Sequence, residues 1–170
     1  MSITIRPFQL ESRSDIAAVT QIYAYHVTNG SGSFEYDPPS EGEMRERFLA
    51  LIEKSYPILL AVEDGAVIGY AYAGPHKTRK GYDGTVEDSV YVSPQALRKG
   101  VGRQLLTALI SSAQSAGYQQ MMAVIGDSEN LASIGLHREL GFTLIGTAKG
   151  IGFKFGRYLD VVYMQKSLQE

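Results

Sequence analysis

Thr85-Val86-Glu87-Asp88-Ser89-Val90-Tyr91-Val92-Ser93-Pro94-Gln95-Ala96-Leu97-Arg98-Lys99-Gly100-Val101-Gly102-Arg103-Gln104-Leu105-Leu106 is the stretch on which the fold turns. Residues 85–92 alternate and are rich in β-branched side chains, which reads as a strand. Pro94 breaks the strand, a basic turn follows, and apolar residues at helical spacing open a helix. Gly100 and Gly102 let the backbone come close to a ligand, and the first N–H groups of the helix have no partner in the chain, so a phosphate-like anion can accept them. Arg98, Lys99 and Arg103 add positive charge around that turn. The same residues also fit a plain βα corner with two conformational glycines and a solvated basic rim.

Within the strand, alternation puts Val86, Val90 and Val92 on one side and Glu87, Ser89 and Tyr91 on the other. Asp88 falls among the apolar residues, which predicts a bulge or a position near an edge. Downstream, Val101, Leu105, Leu106, Leu109, Ile110 and Ala113 form the core side of the helix, which Gly117 ends. Met121 to Ile125 is a short apolar run, read as a buried strand parallel to its predecessor across the helical crossover. Asp127 or Ser128 then caps a helix from Asn130 to Leu140 that Gly141 terminates. Asn130, Ser133 and His137 share one stripe of it.

Upstream, Ile3 to Arg6 is a short strand, and Ser14 or Asp15 caps a helix carrying Ile16, Val19, Ile22, Tyr23 and Val27. Asn29-Gly30-Ser31-Gly32-Ser33 has the composition of a mobile loop, with Phe34 and Tyr36 beyond it. Ser40 and Glu43 form a capping box for a helix bearing Met44, Phe48, Leu51 and Ile52. Ile58–Glu63 and Ala66–Ala73 make a hairpin around Asp64-Gly65. Gly74 to Asp83 is a long basic connection containing His76, Lys77, Arg79 and Tyr82, and its length invites a functional reading. At the far end, Phe142–Thr147 and Leu159–Lys166 read as strands separated by a glycine-rich segment, Lys149 to Arg157.

The chain has 170 residues, 44% hydrophobic and 20% charged, which suits one domain, residues 1–170, with a full core. A net charge of −2 gives no general reason to expect nucleic acid. No apolar run approaches a membrane span and the first residues lack a secretory core segment, so a cytoplasmic location without membrane attachment is expected. With no cysteine there is no disulfide and no thiol nucleophile. There is no G-x-S-x-G elbow, no Walker lysine, and no metal-ligand spacing among His26, His76 and His137, so no metal is expected. Leu105 stands where the third glycine of a dinucleotide fingerprint belongs. What remains is an anion cradle beside a strand carrying Glu87, with His137 on a later helix. That arrangement suits a phosphate-bearing acyl carrier and a proton transfer.

Leu97-Arg98-Lys99-Gly100-Val101-Gly102, then Asn130-x-x-Ser133-x-x-x-His137 and Leu140-Gly141-Phe142, resembles the GNAT superfamily of N-acetyltransferases. Further blocks, Gly69 to Pro75, Lys77-Thr78-Arg79, Tyr82, Val86 to Val92, Ala123 to Gly126, Leu136-His137 and Gly152 to Gly156, resemble its phosphinothricin and methionine sulfoximine acetyltransferase branch. The likeness runs through nearly the whole chain. It departs at Leu97, where the superfamily usually has Gln or Arg; Arg98 stands one step late.

The resemblance implies an α/β (α+β) GNAT fold, with a central mixed, mostly antiparallel sheet splayed at its middle and helices on both faces. It implies acetyl-CoA as co-substrate and direct transfer of acetyl to the α-amine of a small amino-acid analogue. Glu87 is implied as general base, directly or through water, and His137 as either general acid or a structural histidine. The backbone of Val90, Tyr91 and Val92 would meet the oxyanion and thioester. Arg98, Lys99, Gly100, Val101, Gly102 and Arg103 would hold the pyrophosphate, and Asn130 and Ser133 the pantetheine or pyrophosphate. For the amine substrate it implies Phe34, Arg79, Tyr82, Thr85, Phe153 and Lys154, and it implies a homodimer. The same fold serving a polyamine, an aminoglycoside or a protein N-terminus, and a non-catalytic acetyl-CoA-binding module, are the competing readings.

Overall fold

The computed structural model describes residues 2–169, so the terminal residues of the expected 1–170 domain lie outside the description. The strands are β1 (Thr4–Pro7), β2 (Ile58–Glu63), β3 (Ala66–Pro75), β4 (Thr85–Val92), β5 (Gln120–Gly126), β6 (Thr143–Lys154) and β7 (Arg157–Ser167). The α-helices among the described residues are α1 (Arg13–Asn29), α2 (Glu41–Glu53), α3 (Val101–Ser115) and α4 (Leu131–Glu139). The strands form one mixed sheet in the order β1-β2-β3-β4-β5-β7-β6. Every neighbouring pair is antiparallel except β4 and β5.

Period-two alternation sorts the core onto the two faces of the sheet. Leu60 and Tyr70 join Ile16, Val19, Ile22, Val27, Met44 and Phe48 of α1 and α2. Their chain neighbours Leu59, Ala61 and Ala71 turn to the other face, against Leu105, Leu106, Leu109 and Ala113 of α3, where α4 also packs. The core stripe read for α3 is buried throughout. Asp64 and Gly65 both take positive φ in the β2–β3 turn, as the hairpin signal requires. No helix among the described residues is long and apolar enough to cross a membrane.

Several local expectations are corrected. Ser12, not Ser14 or Asp15, caps α1, and Asp15 is instead held by Arg6 through paired bonds of 2.8 and 2.9 Å. Asn130, not Asp127 or Ser128, caps α4 by accepting from the Ser133 N–H. Val124, in the run expected to be buried, is 40% exposed. The glycine-rich segment is mostly strand: β6 runs through it to Lys154 and turns only at Phe155-Gly156, both at positive φ.

The decisive feature lies at the one parallel pair. β4 and β5 are in register only from Thr85↔Gln120 to Glu87↔Met122. Beyond that point β4 stays with β3 as far as Val92 and β5 stays with β7 as far as Gly126, so the sheet opens into a V. Asp88 sits at the apex without a bulge, since the β3 register passes through it unbroken.

Candidate active site

The V holds a cavity of about 530 Å³, lined by Asp88 to Val92 on one side and Val124 to Asp127 on the other. Gly102 of α3, Asn130, Ser133 and His137 of α4, and the Gly30–Gly32 loop complete the wall. Ser93 N–H bonds to Ile68 O at 2.8 Å, which fixes the phase of the β3–β4 ladder. By the alternation of an antiparallel ladder, the amides of Tyr91 and Ser89 also turn to β3, whereas those of Val90 and Val92 turn towards the gap. Of the three backbone positions expected to meet the thioester, Tyr91 therefore contributes no free N–H.

At one end of the cavity stands the start of α3. Gly100 is its N-cap at φ +75° and no side chain caps the helix, so the amides of Val101, Gly102 and Arg103 lack intrahelical partners. A Cβ on Gly102 would stand 3.4 Å from Leu136 Cδ2 and 3.8 Å from Val92 Cγ2. Arg98, at φ +63°, makes no ion pair among the described residues. Lys99 meets Glu63 at 3.0 Å and Arg103 meets Glu139, both at the surface, where such pairs are weak. Leu97 is 56% exposed at the cavity rim and brings no polar group there.

β4 presents two adjacent carboxylates to opposite faces, and each meets a histidine. Asp88 accepts from His137 Nε2 at 3.0 and 3.1 Å, while His137 Nδ1 donates to Ser133 O at 2.7 Å. Both side chains are almost fully buried. With an acceptor beside each of its two nitrogens, the arrangement favours the imidazolium form. Burial pulls its pKa down, but the hydrogen bond and charge of Asp88 and the Ser133 carbonyl outweigh this and leave it raised. On the other face, His76 Nδ1 lies 3.1 Å from Glu87 Oε2. Burial pushes the Glu87 carboxyl above its ordinary range, opposed by the hydrogen bond and charge of His76.

The other predicted substrate residues separate. Arg79 and Tyr82 are exposed in the β3–β4 connection, and Thr85 begins β4; none lines the cavity. Lys154 is buried and donates to Gly30 O at 2.9 Å and Ser33 O at 2.6 Å, so it anchors the α1–α2 loop rather than facing a substrate. Phe34 lies between Gly126 and Gly152, where a Cβ on either would overlap its ring. Phe153 is 47% exposed against Tyr158.

Sequence reading missed His26, whose Nε2 donates to Val92 O at 2.8 Å at the cavity wall, and Arg157, which lines the cavity 3.6 Å from Asp127. It also left His76 without a partner. Neither histidine has a local signal, because its partner comes from a different element.

The sequence profile of the acetyltransferase (GNAT) domain matches residues 9–163. The phosphinothricin N-acetyltransferase of Alcaligenes faecalis is 47% identical over 91% of this chain and 78% of its own. The L-methionine sulfoximine/L-methionine sulfone acetyltransferase of Pseudomonas paraeruginosa is 42% identical over 91% of this chain and 90% of its own. Among solved structures, a phosphinothricin acetyltransferase from Sinorhizobium meliloti in complex with AcCoA superposes with a TM-score of 0.95 at 44% identity. That match covers 100% of this chain and 90% of the other.

Proposed function

The chain belongs to the GNAT acetyltransferase family, and from that footing we propose that it acts as one catalytic domain transferring acetyl from acetyl-CoA to the α-amine of a phosphinothricin, methionine sulfoximine or methionine sulfone type substrate. The observation that carries this is the V between β4 and β5, a cavity with uncapped helix amides at one end and the Val90 and Val92 amides along its side.

The α3 amides and the neighbouring basic side chains hold the pyrophosphate, as a helix N-terminus holds anions. The thioester then lies along β4, and Asn130 and Ser133 border the pantetheine arm. An α-amine is mostly ammonium at neutral pH and cannot attack until a base takes its proton. Glu87 is that base, acting directly or through one water, and burial makes it a stronger one than a solvated glutamate. Attack forms the C–N bond and places negative charge on the carbonyl oxygen, which the Val90 and Val92 N–H groups stabilise. Collapse breaks the C–S bond, and the second proton of the acylated nitrogen passes to the departing thiolate, leaving a neutral amide and the free CoA thiol.

His137 meets that thiolate as a fixed cation, since donating its Nε2 proton would require leaving Asp88. Arg79 makes no ion pair among the described residues and suits a carboxylate or phosphinate through two parallel hydrogen bonds; Tyr82 and Thr85 would complete that side of the substrate. We propose that Phe34 and Lys154 shape the site from behind, and that Phe153 belongs to a homodimer contact. The apolar side chains exposed along β6, β7 and the turn between them, among them Ile145, Ile151, Phe155 and Tyr158, support that contact.

The test is Glu87→Gln assayed by thiol release with saturating acetyl-CoA and methionine sulfone. A fall in kcat of about 100-fold or more is expected for loss of a general base. A fall under about threefold would refute the assignment, and coenzyme binding without turnover across an amine panel would favour a binding module.

A further inference from the structure

The His76–Glu87 contact lies outside the cofactor cavity, beside the 3₁₀ turn at Lys80–Tyr82 in the β3–β4 connection. His76 follows Pro75 at the end of β3, opposite the start of β4, where the register sets Gly74 against Glu87. Its ring is 17% exposed and packs edge-on to Tyr82 at 6.1 Å. The contact uses Oε2 of Glu87, and the structure shows no hydrogen bond to Oε1 among the described residues. A carboxylate whose one oxygen is held by a donor has its other oxygen fixed in direction.

We infer that His76 is a positioning residue for Glu87: its Nδ1–H anchors Oε2 and leaves Oε1 aimed to take the proton of the incoming amine. This rests on Glu87 being the base. His76 also sets the pH range over which that base works, because a donor to the carboxylate favours its ionised form. The groups facing the pair are Lys77, which favours the ionised carboxylate, and Asp88, which opposes it. Tyr72 of β3 lies on the same face and is itself influenced by Arg47 and Glu35 from the α1–α2 side. None of these is hydrogen-bonded to the Glu87 side chain, so among the described residues His76 is the one hydrogen-bond partner whose removal frees the carboxylate.

The sign follows directly. Removing His76 removes an influence that lowers the Glu87 pKa, so the acidic limb of the kcat profile moves to higher pH, where the base becomes protonated earlier. His76→Phe keeps a ring against Tyr82 without a donor; kcat should fall about tenfold and the limb should rise by roughly one pH unit. His76→Asn keeps an N–H near the Nδ1 position and should restore most of kcat. Ring ¹⁵N spectra of the free protein supply a readout apart from activity. The Nδ1–H tautomer should dominate at pH 8 in the wild type and lose that preference in Glu87→Gln.

An acidic limb that stays in place in His76→Phe, or a tautomer indifferent to Glu87→Gln, overturns the inference. If Glu87→Gln keeps kcat within threefold while the tautomer still depends on Glu87, the pair exists but the base lies elsewhere. That outcome refutes the base assignment, and this role with it, and is told apart from an absent pair by the spectra.

Discussion

Glu87 and Asp88 are neighbours in sequence and strangers in space. Strand alternation sends one to the α1–α2 face and the other into the V, and each finds a histidine. The alternation was legible, and it flagged Asp88 as a misfit among valines. Its partner was not legible, because His137 stands 49 positions away and arrives only through the packing of α4. Asp88→Asn should lower stability by about 1–3 kcal/mol, the range for an imperfectly satisfied buried polar group. The dependence on pH has a definite sign. The folded pKa of His137 is raised, so the pair's contribution is fully present below the unfolded value of about 6.5 and is lost as pH rises through the folded value. Thermal melts of both proteins across pH 6 to 9 should therefore show the wild-type advantage shrinking towards the alkaline end. An advantage that is flat or grows with pH would contradict the imidazolium assignment.

At the scale of elements, the wall of the cavity depends on how one loop is fastened. The Asn29–Ser33 loop was read as mobile and the Lys149–Arg157 tract as a glycine-rich segment between two strands. In the fold each fixes the other: Lys154 of β6 holds two loop carbonyls, and Phe34 fills space that Gly126 and Gly152 leave free. Glycines kept for a neighbour's ring and glycines kept for a turn look alike in sequence, which is why β6 was drawn too short. The hairpin at Asp64-Gly65 and the Ser40 capping box were legible because their signals are local. Gly152→Ala should displace Phe34, costing roughly 1–3 kcal/mol as other overpacked sites do. Lys154→Met, which leaves two loop carbonyls without their donor, should weaken acetyl-CoA binding several-fold. Denaturant unfolding and calorimetric titration check the two effects; an unchanged Kd in Lys154→Met would show that the loop needs no anchor.

Across the whole molecule, the one parallel pair in an otherwise antiparallel sheet stops after three residue pairs, and the gap beyond it is the cavity. The strand-turn-helix of residues 85–106 was legible, down to a helix start that no side chain caps. The width of the V was not readable, because it depends on β5 following β7 rather than β4. The Glu87–His76 pair sits just where the two strands separate, at the last paired position of β4 and β5.

Hydrogen exchange with and without acetyl-CoA tests that geometry most directly. Slowed exchange should be confined to the second half of β4, the first turn of α3, and residues 126–133. Protection that skips those segments, or that falls instead on β1 and α2, would contradict it.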